Sequence, residues 1–152
     1  MTSKKSAIDP ALEEVLFFQI DQCMRQAVRY TNRVFQEAGA DLTKDQWLVL
    51  KKVNDEREHG VSPYNLAQLL GKEPASMTRI LDILERKGLL ERRPNPADRR
   101  SSLVFPSPTG EQLYQQLLPM VEKIREQAVT GFSATEVNRL RNYLGRMTEN
   151  LR

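Results

Sequence analysis

The stretch SMTRILDILERKGLLERRPNPADRRSSLV, residues 76–104, decides the fold of this 152-residue chain. Apolar residues recur at steps of three and four from Met77 to Leu84, and Gly88 ends that pattern. This spacing predicts an amphipathic helix that begins at Pro74 and packs one face on a core. At roughly 100° per residue, the opposite face and its flanks carry small, polar and charged residues, namely Ala75, Ser76, Thr78, Arg79, Asp82 and Arg86.

A basic hairpin is predicted directly after this helix. Two strand-like runs, residues 89–93 and 101–105, enclose a protruding loop that contains Pro94 and Pro96. Residues 92–100 contain four arginines and one aspartate, a net charge of +3, which equals the whole excess of 23 basic over 20 acidic residues. Because concentrated positive charge attracts a polyanion and a small-residue helix fits the major groove, the pair predicts contact with DNA.

Capping motifs place two further helices before this stretch. A capping box begins at Thr43 and predicts a helix that runs to about residue 57. Ser62, followed by a proline, begins a short helix that Gly71 ends. Two short helices joined by a glycine-containing turn and followed by a basic hairpin are typical of a winged helix-turn-helix. We therefore predict such a DNA-binding domain over residues 42–106.

A long helix is predicted at the N-terminal end, over residues 10–38, where Asp9 and a proline form its beginning and Gly39 stops its apolar pattern. It would be about 43 Å long at 1.5 Å per residue. A compact chain of this length has a radius of gyration of only about 15 Å, so this helix needs a partner beyond its own domain. We expect residues 9–38 to belong to a dimerisation region.

The C-terminal third returns to helix. Ser107 and a following proline begin one helix, which we expect to bend at an internal proline, and a capping box at Ser133 begins the last one. That last helix carries an apolar stripe from Val137 to Leu151 at steps of three and four. We expect residues 107–152 to complete the dimerisation region, in a mainly α fold with a small β-hairpin wing.

These residues resemble the MarR family of bacterial winged-helix transcription regulators. The resemblance rests on the T-R-x-x-D-x-L-E-x-K-G-L pattern of residues 78–89, the wing motif Asp98-Arg99-Arg100 and the SPTGEQL run of residues 107–113. It extends over most of the chain. It implies a homodimer that presents two recognition helices to adjacent major grooves of a double-stranded DNA operator, with a wing arginine in the minor groove.

The resemblance also implies roles for individual side chains. Ser76, Thr78 and Arg79 would contact the major groove, Arg100 would enter the minor groove, and Asp98 would orient a nearby arginine. The predicted DNA-binding set is completed by Ala75 and Arg86 on the same helix and by the expected phosphate contacts Arg93, Arg99 and Ser101.

The predicted function is therefore transcription regulation, most often repression, by a homodimer on a pseudo-palindromic operator. The resemblance implies release by a small aromatic or anionic effector. Five aromatic residues are candidates either for lining its cavity or for the core: Phe17, Phe18, Tyr30, Trp47 and Tyr114. The sequence does not identify the effector, the operator, the regulated genes or the sign of regulation.

Two alternatives stay open at this stage. Some members of the family sense peroxide through a cysteine in the first helix, which makes Cys23 a candidate redox sensor, although a free cysteine on an apolar stripe usually serves as a small hydrophobic residue. A winged helix can also bind proteins instead of DNA, but such a module has no need for four arginines in one projecting hairpin.

Several other classes are excluded by composition. The chain has no phosphate-binding glycine loop and no nucleophile elbow, which argues against an enzyme. One cysteine and one histidine, His59, leave no disulfide and too few ligands for a metal site. No apolar run approaches the roughly 20 residues of a membrane span, and the first eight residues lack a secretory apolar core. We expect a cytoplasmic protein without a cofactor.

Overall fold

Six α-helices and one antiparallel hairpin make up residues 11–152, the part of the chain that this computed structural model describes. The elements follow the order α1 Leu16–Glu37, α2 Lys44–Asp55, α3 Pro63–Leu70, α4 Pro74–Arg86, β1 Leu90–Asn95, β2 Asp98–Pro106, α5 Pro108–Ala128 and α6 Ala134–Asn150. This architecture confirms the predicted mainly α fold with a hairpin wing.

The chain divides into two compact units, one that ends at Leu118 and one that comprises Pro119–Arg152. The first unit contains α1 to α4 and the hairpin, and α5 contributes to both units. α5 remains helical through Pro119, at the position where the sequence suggested a bend. None of the described helices combines the length and apolar character that a membrane span requires.

The core of the first unit lies between α2, α3, α4 and the hairpin. Leu50, Leu66 and Leu84 are fully buried there. Trp47 stacks on Tyr114 with ring centroids 5.2 Å apart, and Phe35 packs against the same indole at 5.9 Å. Trp47 and Tyr114 therefore belong to this core.

α1 is shorter than predicted. It begins at Leu16 instead of residue 10, because Val15 is extended, with φ −72° and ψ 116°, and separates it from a 3-10 turn over Leu12–Glu14. The predicted cap at Asp9 lies outside the described residues. With 22 residues, α1 is about 33 Å long at 1.5 Å per residue. Its apolar residues nearest the N-terminus, among them Leu16, Phe17 and Met24, are exposed in the single chain.

The capping motifs behave as predicted. The Thr43 hydroxyl accepts the backbone N–H of Gln46 at 3.2 Å, and the Gln46 side chain accepts the backbone N–H of Thr43 at 3.1 Å. α2 ends at Asp55, about two residues earlier than predicted. Ser62 caps α3, and Gly71 ends it in the left-handed region, at φ 57°. Local motifs thus set the beginnings of α2 and α3 and the end of α3.

The hairpin strands are longer than predicted. β1 and β2 pair from Leu90 opposite Pro106 to Pro94 opposite Ser102, with an irregularity after Pro94. The predicted extent of the loop that contains Pro94 and Pro96 is wrong, because Pro94 lies in β1 and only a two-residue turn separates the strands. Proline is tolerated in a strand that has a free edge, so Pro94 does not stop β1.

α6 has the predicted capping box, and its apolar stripe is largely exposed. Ser133 accepts the backbone N–H of Glu136 at 3.2 Å, and the Glu136 carboxylate accepts the backbone N–H of Ser133 at 2.8 Å. The hydrogen bonds from the backbone and the hydroxyl of Ser133 lower the pKa of the Glu136 carboxyl. Leu140 and Leu144 on the stripe are 48% and 40% exposed.

Candidate nucleic-acid interface

α4 exposes one face while its apolar face holds it to the core. Met77, Leu81 and Leu84 are at most 1% exposed, which fixes the rotation of the helix about its axis. Five residues of α4 are predicted to contact DNA, and all five are exposed. They are Ala75, Ser76, Thr78, Arg79 and Arg86. The structure thus brings these five residues onto one helix surface.

Two of these side chains already use a polar atom within the helix. The Thr78 hydroxyl donates to the carbonyl of Pro74 at 3.0 Å, and Nε of Arg86 donates to the carbonyl of Asp82 at 3.3 Å. A threonine in this arrangement keeps its methyl group and a hydroxyl lone pair available to a ligand. Arg79 has no such internal contact in the described residues, so its whole guanidinium is available.

The wing tip, residues 96–101, is shaped by its own side chains. The Asn95 carboxamide accepts the backbone N–H of Ala97 at 3.0 Å and donates to the Ser101 hydroxyl at 3.0 Å. The Asp98 carboxylate accepts the backbone N–H of Arg100 at 2.9 Å. Such local bonds from asparagine and aspartate mimic backbone turns, so the tip has a defined conformation.

Two arginines of the wing tip extend from this frame without an internal partner. Arg99 and Arg100 are exposed. Across residues 11–152, no carboxylate lies within ion-pair distance of either guanidinium. A guanidinium presents five N–H donors in a planar fork that matches phosphate oxygens. These two side chains are therefore equipped to bind an anion.

The arginines of the wing root, which we define as residues 88–93 and 103–107, are instead engaged with the protein. Arg92 pairs with Asp82 at 2.7 Å and with Glu85 at 2.8 Å, both on α4. Arg93 pairs with Glu91 at 3.1 Å and lies over the Phe105 ring, 4.4 Å from its centroid. The basic segment is thus divided between a paired root and a free tip.

The wing root also makes close backbone contacts. Val61 and Val104 exchange two backbone hydrogen bonds, of 3.1 and 2.8 Å, that join β2 to the loop before α3. Gly110, in the first turn of α5, lies so near the root that a Cβ there would be 2.0 Å from the carbonyl oxygen of Leu89. Gly60 similarly lies against the Phe105 ring, where a Cβ would be 2.5 Å from a ring carbon.

Some predicted site residues have surroundings that the sequence did not indicate. Ser101 is half-buried, and its hydroxyl donates to the Asp98 carbonyl at 3.1 Å, so it supports the wing tip from within. The Asp98 carboxylate bonds to the backbone of Arg100 and not to an arginine side chain. Arg93 is exposed but already paired. Residues that the sequence analysis grouped as one DNA-binding set therefore differ in their contacts within the protein.

Sequence reasoning missed the link from Arg92 to α4. From the sequence, Arg92 enters only the charge of the segment, Asp82 is placed on the exposed face of the helix, and Glu85 has no predicted role. Arg92 is seven positions from Glu85 and ten from Asp82 in the chain. The three side chains meet because β1 packs beside α4. Two acidic residues one turn apart on a helix, followed by a basic strand, were the only available signal.

Other candidates have no site around them. Cys23 is exposed on α1 as a free thiol. His59 is exposed in the loop after α2, and no cluster of three metal-ligating side chains occurs within residues 11–152. Phe17 is exposed, whereas Phe18 and Tyr30 are half-buried. None of these residues joins the surface formed by α4 and the wing.

Comparison with known proteins finds similarity to the MarR family. The family model described as the MarR family matches residues 42–102. A cysteine-to-serine mutant of MarR from E. coli, solved with operator DNA, is 25% identical, with 91% of this chain and 99% of that chain covered and a TM-score of 0.78.

Two more distant structures share the fold. MepR from S. aureus, solved with DNA, is 17% identical, with 92% of this chain and 99% of that chain covered and a TM-score of 0.84. BpsR from Bordetella bronchiseptica, whose DNA binding is regulated by 6-hydroxynicotinic acid, is 21% identical, with 92% and 97% covered and a TM-score of 0.81.

Proposed function

We propose that this chain, which has the winged-helix region and the fold of the MarR family, is a transcription regulator that represses by binding a pseudo-palindromic operator as a homodimer. The observation that carries the proposal is the exposed face of α4 together with a wing tip whose two arginines have no ion-pair partner within residues 11–152. Ala75, Ser76, Thr78 and Arg79 would face base edges, and Arg100 would enter the minor groove.

The side chains of α4 and the wing tip are chemically suited to different parts of DNA. Small side chains at the leading end of α4 allow the helix backbone to approach the floor of the major groove. Arg99 is suited to a phosphate, since a guanidinium pairs with phosphate oxygens in a bidentate manner. Arg100 is suited to a narrow minor groove, where the negative potential is strongest. No catalytic role is needed to explain any of these residues.

The proposed homodimer is supported by uncovered apolar residues at both ends of the chain. Residues 107–152 contribute the stripe of α6, with Leu144 40% and Leu151 72% exposed. Residues 9–38 contribute exposed side chains of α1, including Phe17 at 58%. Exposed apolar area of this kind marks association sites. Residues 42–106 would then form the DNA-binding domain, and two copies would place their α4 helices about 34 Å apart.

A matched pair of α6 variants tests the dimer. Leu144→Glu places a charge on the apolar stripe, and we expect it to shift the protein to a monomer in analytical ultracentrifugation. Asn142→Glu adds the same charge about 200° away around the helix and should leave the mass unchanged. A Leu144→Glu protein with the mass of the wild type would exclude α6 from the interface.

Release by a small effector is the remaining part of the proposal. The structural neighbour BpsR responds to 6-hydroxynicotinic acid, a small aromatic acid, and we propose an effector of the same chemical class here. A thermal-shift screen of aromatic carboxylates on the purified dimer would identify it, and the compound found should also release bound DNA. If hydrogen peroxide, but no such acid, releases DNA, a redox role of Cys23 is the better explanation.

DNA binding itself is tested by selection from a pool of random-sequence duplexes, followed by gel-shift titration of the selected duplex at increasing salt. Each phosphate neutralised contributes about −0.9 to the slope of log K against log salt, so a dimer with several phosphate contacts should give a steep slope. A winged-helix module that binds proteins would enrich no sequence and would give no salt-dependent shift.

A further inference from the structure

We propose that Arg92 is a positioning residue that fixes the wing relative to α4, so that the helix and the wing tip contact DNA as one rigid unit. The inference rests on the DNA-binding function proposed above. Arg92 lies on β1, and its two terminal nitrogens donate to different carboxylates, Nη2 to Asp82 at 2.7 Å and Nη1 to Glu85 at 2.8 Å. One guanidinium therefore spans two residues of α4.

The chemistry of this contact favours a geometric role over a stabilising one. Partly exposed ion pairs contribute only about 0 to 1 kcal/mol, and Arg92 remains 29% exposed, with carboxylates that are 48% and 41% exposed. A planar guanidinium, however, fixes direction as well as distance when both nitrogens are bonded. A lysine ammonium is a point charge and cannot hold the same orientation.

The alternation of the strand separates Arg92 from its neighbour. Successive side chains of a strand point to opposite faces, so Arg92 faces α4 while Arg93 lies over Phe105, 4.4 Å from the ring centroid. Both arginines are held, but only Arg92 connects the wing to the proposed recognition helix. Arg99 is seven and Arg100 is eight positions after Arg92, so a rotation at the root would displace the whole tip.

The acidic partners of Arg92 also affect the charge of α4. Asp82 and Glu85 place two negative charges on the helix that would enter the groove, where DNA phosphates repel them. Arg92 lies between them and offsets part of that charge. If their task is to hold Arg92, removing them should weaken DNA binding. Simple electrostatics predicts the opposite sign, because neutralising acidic residues strengthens binding to a polyanion.

A double-mutant cycle on the selected duplex tests the coupling between root and tip. We expect Arg92→Gln to weaken binding about tenfold, and Arg100→Ala to cost at least threefold less in the Arg92→Gln background than in the wild type. The reason is that a displaced tip has already lost its contact. If the loss of affinity in the double variant equals the product of the two single losses, the residues are not coupled and the proposal is overturned. Arg92→Lys keeps the charge but not the fork, so binding restored by Arg92→Lys would also overturn it.

The sign of the charge effect gives an independent test. Asp82→Asn with Glu85→Gln should weaken binding, whereas the control Glu91→Gln removes a carboxylate that pairs along the strand with Arg93 and should leave it equal or tighter. Tighter binding of the double variant would overturn the positioning role. Melting temperatures verify folding, and if Arg92→Gln does not fold, the double variant decides alone.

The two proposals fail in different ways. If the wild type binds no duplex, the proposed function fails and the role of Arg92 fails with it. If the wild type binds and Arg100→Ala weakens it, but the cycle shows no coupling, the function stands and only the positioning role is wrong.

Discussion

The root and the tip of the wing have the same kind of residue in opposite situations. Arg92 and Arg93 at the root are paired with acidic or aromatic side chains. Arg99 and Arg100 at the tip are exposed, without an ion-pair partner in the described chain. Sequence composition treats the four arginines as equal. Their surroundings hold two of them within the wing and leave the other two available to an external anion.

Positive charge in the wing is available to a ligand only where the fold leaves it unpaired. The segment of residues 92–100 carries +3, but Asp82, Glu85 and Glu91 offset the root. A substitution at the root should therefore change folding or orientation, and a substitution at the tip should change DNA affinity alone.

Gly110→Ala should destabilise the protein, because the wing root cannot move to accommodate an added Cβ. The added Cβ would be 2.0 Å from the backbone carbonyl oxygen of Leu89, a contact that requires the start of α5 or the root of the wing to move. Overpacking usually costs about 1 to 3 kcal/mol, and we expect a loss at the upper end of that range, measured by urea unfolding.

A second glycine supplies the control for this prediction. At Gly145 on α6, an added Cβ meets no atom within 4 Å. Alanine there should raise helix stability, since glycine in a helix is less favourable than alanine by about 0.8 to 1 kcal/mol. Equal stability of the Gly110→Ala protein and the wild type would mean that the root is not tightly packed.

Arg100→Ala should show that the tip can be removed without cost to the fold. We expect DNA affinity to fall by about 1 to 3 kcal/mol, the range for a lost specific arginine contact, with no change in melting temperature or dimer mass. Gel-shift titration on the selected duplex measures the loss. Unchanged affinity would exclude Arg100 from the interface and remove the distinction between root and tip.

Arg99→Ala should have a smaller effect with a different signature. A phosphate contact is indifferent to sequence, so its loss should weaken selected and random duplexes alike and reduce the salt slope by about 1. Arg100→Ala, by contrast, should weaken the selected duplex more than a random one. If both variants lower affinity only for the selected duplex, Arg99 contacts bases and not the backbone.

Local motifs explain which features of the fold the sequence could predict. The capping boxes at Thr43 and Ser133 connect residues three positions apart, and the structure contains both. Gly71 ends α3 in the left-handed conformation that glycine adopts without strain. These features depend on the chain next to them, so sequence alone was sufficient.

Features that depend on packing were not predictable in this way. The start of α1 moved to Leu16 because Val15 adopts an extended conformation. The contact of Arg92 with α4 depends on how a strand and a helix pack, which no spacing rule gives. For the candidate site, the sequence therefore located the exposed residues of α4 and the wing, but it could not separate arginines that hold the wing from arginines that are free.

Asp98 offers the finest test of the tip. The resemblance suggested that Asp98 orients an arginine side chain, whereas its carboxylate accepts the backbone N–H of Arg100 at 2.9 Å. Asparagine can accept the same bond, so Asp98→Asn should bind DNA as well as the wild type or slightly better, because a negative charge is lost. Asp98→Ala removes the acceptor and should weaken binding by about 1 kcal/mol, the net value of one hydrogen bond. If Asp98→Asn weakens binding as much as Asp98→Ala, the charge and not the turn is what matters, and the tip arginines are then held by ion pairing in the DNA-bound state.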